Sequence, residues 1–163
     1  LLTQLKRLKG IVILGTPPLK KPLNMEEAFL PNPALQTFFT ENPSEDDIKK
    51  AAEMAAFNSS HALVIINDFK ASNPKVRTAL TVDVANDKLL NEFKIFTSTS
   101  IPKYMIAGTH DPSVNPEYLK AVKEASVGNC EIIEFKNCGH YPSLEKPTEF
   151  IDELKRIASE VFK

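Results

Sequence analysis

The chain has 163 residues, 42% of them hydrophobic, and a formal net charge of -1 at pH 7. That length and apolar content suit one domain with a buried core, and a balanced charge without a Lys/Arg stripe argues against a nucleic-acid binder. No apolar run approaches the ~20 residues of a bilayer-spanning helix and no signal-peptide pattern opens the chain, so we read a cytoplasmic protein without a membrane span.

Leu1-Leu2-Thr3-Gln4-Leu5-Lys6-Arg7-Leu8 reads as the middle of a helix. Because the first residue is not Met, a segment upstream is expected to be missing. Lys9 and Gly10 end this helix, Gly10 being suited to its C-cap. Ile11-Val12-Ile13-Leu14 is an unbroken apolar run, as expected for a strand covered on both faces. Gly15-Thr16-Pro17-Pro18 stops it. A helix followed by a buried strand is the second half of a βαβ unit, so the strand's parallel neighbour would lie before Leu1.

From Leu19 to Thr97 the character changes. Prolines at 22, 31, 33 and 43 punctuate short pieces, and helices then take over. Ser44-Glu45-Asp46-Asp47 resembles a capping box with Asp in place of Glu. Ile48, Ala51, Ala52, Ala55 and Ala56 follow at helical spacing, predicting a helix to about Phe57. Ser59 or Ser60 is placed to cap a second helix through Ala62–Phe69, although the β-branched run there leaves a strand as a competitor. Asn73-Pro74 opens a third helix carrying Val76, Leu80 and Val84. A fourth lies around Asp87–Phe96, before Thr97-Ser98-Thr99-Ser100. The whole is a mostly helical insertion of about 75 residues, far longer than an ordinary connection. It is either a plain helical subdomain or a lid over a site.

The last third delivers the chemistry. Tyr104-Met105-Ile106-Ala107-Gly108 is a short β-rich run that breaks at Thr109-His110-Asp111. Glu131-Ile132-Ile133-Glu134-Phe135-Lys136 is another, breaking at Asn137-Cys138-Gly139-His140. A helix from Pro116 to Ala125 separates them, and an amphipathic helix from near Pro147 closes the chain through Phe150, Leu154, Ile157 and Val161. In open parallel sheets ligands bind outside the carboxyl ends of the strands. Asp111 after one strand and His140 after the next can therefore meet over one pocket, as the acid and base of a triad. Cys130 and Cys138 show no metal or redox spacing. They flank one extended segment, too far apart to bridge, and read as free thiols in a reducing compartment.

This order of elements resembles the C-terminal part of the α/β-hydrolase fold. The residues that carry the resemblance are Gly10–Pro18, Ile101-Pro102 through Gly108-Thr109-His110-Asp111-Pro112, and Gly139-His140-Tyr141-Pro142 with Leu144-Glu145-Lys146-Pro147 and Phe150. It implies an α/β chain of about three parallel strands flanked by helices, with residues 1–22 and 97–163 as core and 23–96 as a helical cap. It matches Asp111 to the triad acid and His140 to the triad base. It further implies hydrolysis of an ester, lactone or similar bond in a small apolar substrate, without a cofactor.

One departure is large. The family's nucleophile elbow, usually G-x-S-x-G after a strand, is absent: none of the five glycines is paired around a Ser, Asp or Cys at that spacing. Family members run nucleophile, acid, His in chain order, so the elbow would precede Leu1 and the chain looks like the second half of such an enzyme. A Ser nucleophile is the commoner family form; Asp stays open. By itself the chain is then expected to be inactive, with Ile11–Leu14 as an edge strand prone to self-association or to pairing with the N-terminal half. The alternative is a non-catalytic binding or interaction module on the same scaffold. A nucleotide-binding domain fails for lack of a Gly-rich phosphate loop.

Other residues weigh less. Asp111 before Pro112 also fits an Asx turn. His110 beside it lacks further ligands at metal spacing. Ser59-Ser60-His61 is explained by helix capping, and Cys138 by packing. Thr16 and Pro17 end their strand at the rim of Asp111 and His140 and are candidates for the substrate-side wall. Phe38, within an aromatic-rich middle region (Phe29, Phe38, Phe39, Phe57, Phe69, Phe93, Phe96), is a candidate pocket residue or simply core.

Overall fold

The structure, a computed structural model, describes residues 7–163. The opening helix expected over the first eight residues therefore lies almost wholly outside the described residues. Gly10 does not take the left-handed φ of a C-cap glycine. A Cβ there would stand 2.9 Å from Val161 Cγ1, so close packing against the last helix is its constraint.

Three strands, β1 (Ile11–Leu14), β2 (Lys103–Gly108) and β3 (Cys130–Phe135), form one parallel sheet in the order β1-β2-β3. Ile11 pairs with Lys103 and Leu14 with Ile106; Lys103 pairs with Cys130 and Gly108 with Phe135. The side-chain period of two divides these strands between two cores. Ile11, Met105 and Cys130, with Ile13, Ala107 and Ile132, join Phe96, Tyr118, Leu119 and Val122 on one face. Tyr104, Ile106, Ile133 and Phe135, with Leu14, meet Phe150, Ile157 and Val161 on the other. That double coverage explains why β1 and β2 read as continuous apolar runs. Val12 is the exception at 40% exposed, on the strand whose outer edge is unpaired among the described residues.

The segment between β1 and β2 is helical: α1 (Met25–Ala28), a 3₁₀ turn (Pro33–Phe39), α2 (Glu45–Ala55), a second 3₁₀ turn (Ser59–His61), α3 (Ala62–Ala71), α4 (Pro74–Ala85) and α5 (Glu92–Ser98). Leu35, Ala52, Ala55, Ala56, Ala62 and Ile65 form a cluster apart from the sheet, closed by Phe38, Ile66, Tyr141 and Leu144. Ser44 caps α2 as expected, its Oγ accepting from the Asp47 amide at 3.1 Å. The stretch Ala62–Phe69 is helix, not strand. Neither Ser59 nor Ser60 caps it: its N-cap position is His61, which makes no side-chain cap bond, and Asn58 caps the 3₁₀ turn before it, Oδ1 accepting from the Ser60 amide at 3.0 Å. The fourth predicted helix is shorter than expected. Asp87 turns the chain at φ 53 and Asn91 caps a helix that starts only at Glu92. On α4, Val76 and Leu80 face outward and no residue is buried.

α6 (Pro116–Ala125) crosses from β2 to β3, capped by Asn115. A short α7 (Pro142–Glu145) then precedes α8 (Pro147–Val161), which covers the second face. At the start of β2, Lys103 is fully buried and its ammonium donates to the carbonyls of Thr99 at 2.6 Å, Ile101 at 3.2 Å and Val127 at 2.7 Å. One side chain thus gathers the loops that lead into β2 and β3 at the end of the sheet opposite the site.

Candidate active site

β2 ends at Gly108, where the absence of a Cβ lets the Cys138-Gly139 backbone come close: a Cβ there would lie 2.0 Å from Gly139 O. The Thr109 amide continues the ladder to Phe135 O at 2.9 Å, and the His110 amide reaches Cys138 O at 2.9 Å. The turns after β2 and β3 are therefore bonded to each other, which brings Asp111 and His140 together. The two carboxylate oxygens of Asp111 face different partners. Its Oδ1 accepts from the amides of Ser113 at 2.8 Å and Val114 at 3.2 Å, an Asx turn, while Oδ2 faces His140 Nδ1 at 2.9 Å. An ionised carboxylate only accepts, so the bond puts the ring proton on Nδ1 and leaves Nε2 with its lone pair in the neutral imidazole. The Asp111 side chain is 5% exposed and that of His140 22%, so the acid is covered and the base is reachable.

Nε2 carries no hydrogen bond among the described residues and points at β1. The ring rests on Gly15, where a Cβ would stand 3.2 Å from Nε2, and Gly15 itself has a φ of 67°. Sequence reasoning singled out Thr16 and Pro17 from this loop and passed over Gly15. A glycine ending a strand at the rim of the acid and the base was the signal. Thr16 is exposed and Pro17 buried. Both line an apolar groove of about 530 Å³ along β1, with Ile11, Ile13, Pro18 and Phe96, rather than the space around the imidazole. Phe38 packs on Phe69, ring centroids 5.8 Å apart, in the helical cluster. Tyr141, which packs against the same cluster, meets the His140 ring edge-on at 5.0 Å.

The loop before His140 is held from below. Cys138 is fully buried, and burial first, then the neighbouring Glu145 carboxylate, push its thiol up to about 12. It is a packed thiol, not a nucleophile at neutral pH. Gly139 faces the end of α2, where a Cβ would meet Ala55 O at 2.5 Å and Phe57 N at 2.7 Å. Close approach, not a left-handed φ, is what this glycine provides. His110 packs on Phe57, the ring centroids 4.5 Å apart and tilted by 52°, with its Nδ1 3.0 Å from Thr109 Oγ1. Ser59 and Ser60 lie on the surface of their turn.

A parallel sheet with an acid after one strand, an imidazole after the next and a closing helix across the face is part of an α/β-hydrolase fold. Solved structures of that fold align with nearly all of this chain. The N-acyl homoserine lactonase AidH, in complex with N-hexanoyl homoserine lactone, superposes with a TM-score of 0.81 at 21% identity, over 98% of this chain and 58% of its own. The esterase RhEst1 from a Rhodococcus species gives 0.72 at 18% identity, over 94% and 56%. A serine hydrolase from Cycloclasticus zankles gives 0.63 at 16%, over 97% and 58%. The chain thus spans little more than half the length of the structures it matches. By sequence, no family model and no curated protein matches it.

Proposed function

We propose that this polypeptide supplies the acid and the base of a catalytic triad in an α/β-hydrolase-type enzyme that cleaves an ester, lactone or related bond in a small apolar substrate. The observation that carries the reading is the 2.9 Å bond from His140 Nδ1 to Asp111, with Nε2 left open above Gly15. Asp111 holds the tautomer and steadies the imidazolium. His140 Nε2 takes the proton of an attacking hydroxyl and returns it to the leaving group. No cofactor enters this chemistry. The nucleophile, Ser in the commoner form and Asp in the other, belongs to a segment outside this sequence that pairs in parallel with the open edge of β1. Residues 23–96 act as a cap over a core of 1–22 and 97–163. Thr16 and Pro17 at the rim and Phe38 in the helical cluster serve the substrate side.

The lactone bound by AidH and the esterase named among the similar structures make short acyl lactones and aryl esters the first substrates to try. The absence of G-x-S-x-G supports a second reading, a binding or interaction module that keeps the scaffold without turnover. The intact mass of the natural polypeptide comes first, followed by hydrolysis of these substrates by that polypeptide and its His140→Ala variant. Turnover that His140→Ala abolishes supports the hydrolase. A natural product no larger than 163 residues, and inert with every candidate partner half, supports the binding module instead.

A further inference from the structure

We propose that Glu145 is a positioning residue for His140, tying the loop that carries the imidazole to the end of α2. The inference rests on reading His140 as the catalytic base. It adds a residue that touches neither substrate nor reacting atoms.

One carboxylate serves two distant segments. Oε1 accepts from the Gly139 amide at 2.8 Å and lies 3.8 Å from Cys138 Sγ. Oε2 accepts from the amides of Phe57 at 2.8 Å and Asn58 at 3.1 Å. The Glu145 backbone is itself fixed, its amide donating to Tyr141 O at 2.9 Å. The next amide in the loop, that of His140, donates to Ala55 O at 2.8 Å. The successive amides of Gly139 and His140 are therefore both held, one by Glu145 and one by α2. Rotation of the imidazole about its own bonds is governed by Asp111; the place from which the ring projects is governed by these backbone bonds.

The chemistry of the site demands an acceptor at both ends of one side chain. Every group facing Glu145 is a donor, because the buried Cys138 keeps its proton. A carboxylate offers two acceptor oxygens and no donor, whereas an amide turns an NH₂ toward one of the two segments. Charge-assisted bonds of this kind are also the stronger ones. The bare Cα of Gly139 lets the segments meet without a gap, so removal of the carboxylate cannot be masked by a side chain filling the space.

The test uses the 163-residue chain with labelled histidine, comparing wild type, Glu145→Ala, Glu145→Gln and a control, Glu149→Gln, at an exposed position. Two readouts are followed: the downfield His140 Nδ1–H resonance, and amide hydrogen exchange at Gly139, Phe57 and Asn58. In Glu145→Ala the His140 resonance should broaden or shift, and exchange at Gly139 and Phe57 should rise about tenfold or more, while Met105 and Ile106 in β2 stay protected. Glu145→Gln should protect one segment and release the other, and Glu149→Gln should change nothing. An unchanged His140 resonance in Glu145→Ala, even with lowered thermal stability, would overturn the proposal in favour of a structural role alone. Absence of that resonance in the wild type would overturn it equally. If Glu145→Ala does not fold, the equal-volume Gln variant decides by the same criterion. Failure of hydrolysis in the earlier experiment sinks the hydrolase reading and leaves this result standing; the converse also holds.

Discussion

Gly15 and His140 are in contact across the mouth of the sheet: a methyl group on Gly15 would stand 3.2 Å from His140 Nε2 and 3.3 Å from its Cε1. Gly15→Ala therefore acts twice. It forces an L-residue to a φ of 67°, at a cost of about 1–2 kcal/mol, and it presses on the imidazole. We expect a lower melting temperature together with a displaced His140 resonance, read by calorimetry and by NMR. A melt that falls while His140 is unmoved would show that only the backbone strain matters.

Asp111→Asn separates the two tasks of the acid. Its Oδ1 can still close the turn to Ser113 and Val114, but its NH₂ group would face His140 Nδ1 and drive the ring proton to Nε2. The downfield Nδ1–H signal should vanish while the fold persists. In an active assembly with the nucleophile present, turnover should drop by roughly 10³–10⁴ fold, the scale of a wrong tautomer in such a triad. Asp111→Ala, which also opens the turn, should lower stability more than Asn does, as denaturant midpoints would show.

Lys103→Met leaves Thr99, Ile101 and Val127 carbonyls without their shared donor at the closed end of the sheet. Burial lowers the lysine's pKa, so the charge carries a cost of its own that the methionine removes. The lost hydrogen bonds should outweigh it, destabilising the chain by about 1–3 kcal/mol. Urea titration at neutral pH measures this, and a more stable Met variant would contradict it.

The chain should unfold at alkaline pH. Burial raises the Tyr118 phenol to about 12 from 10.0 and the Cys138 thiol to about 12 from 9.0. Both groups bind their protons more tightly when folded, so their contribution is full below the unfolded values and is lost as pH rises from about 9 toward 12. Tyr118→Phe also breaks the bond from its hydroxyl to Pro18 O at 2.9 Å. It should be less stable at pH 7 yet lose less stability between pH 10 and 12 than the wild type. Melting temperatures across that range would test the crossing.

Val12 stands on an edge whose outer backbone groups are unpaired among the described residues. Exposed apolar edges invite strand addition, and a lysine on the edge discourages it. The 163-residue polypeptide is expected to self-associate, and Val12→Lys to shift it toward monomer by light scattering. A wild-type monomer stable at high concentration would refute this.

What could be read from the sequence divides along physical lines. The apolar runs of β1 and β2 and the breaks at Gly108 and Gly139 are local signals, and they put Asp111 and His140 at neighbouring strand ends. Ser44 and Asn73 were legible as helix starts for the same reason. The Ala62–Phe69 stretch was ambiguous because Val64, Ile65 and Ile66 suit a strand by propensity, and contact with Ala52 and Ala55 decides for helix. Glu145 lay within a stretch that carried the family resemblance, but nothing local showed what its side chain would hold. Its partners, Phe57 and Asn58, lie 88 and 87 residues away, and only the folded chain brings them to it. Asn58, rather than the serines beside it, caps its turn because Oδ1 can reach the Ser60 amide.

The bond from the His140 amide to Ala55 O has a mechanical consequence for the helices between β1 and β2. The end of α2 cannot swing away without dragging the histidine loop, so it serves as a fixed hinge plate. The far side is different, since α4 buries no residue. Local opening is cheapest where few apolar contacts must be broken, so breathing should start at α4 and die out before it reaches α2. The outer helix would then yield while the imidazole and its supports stand still.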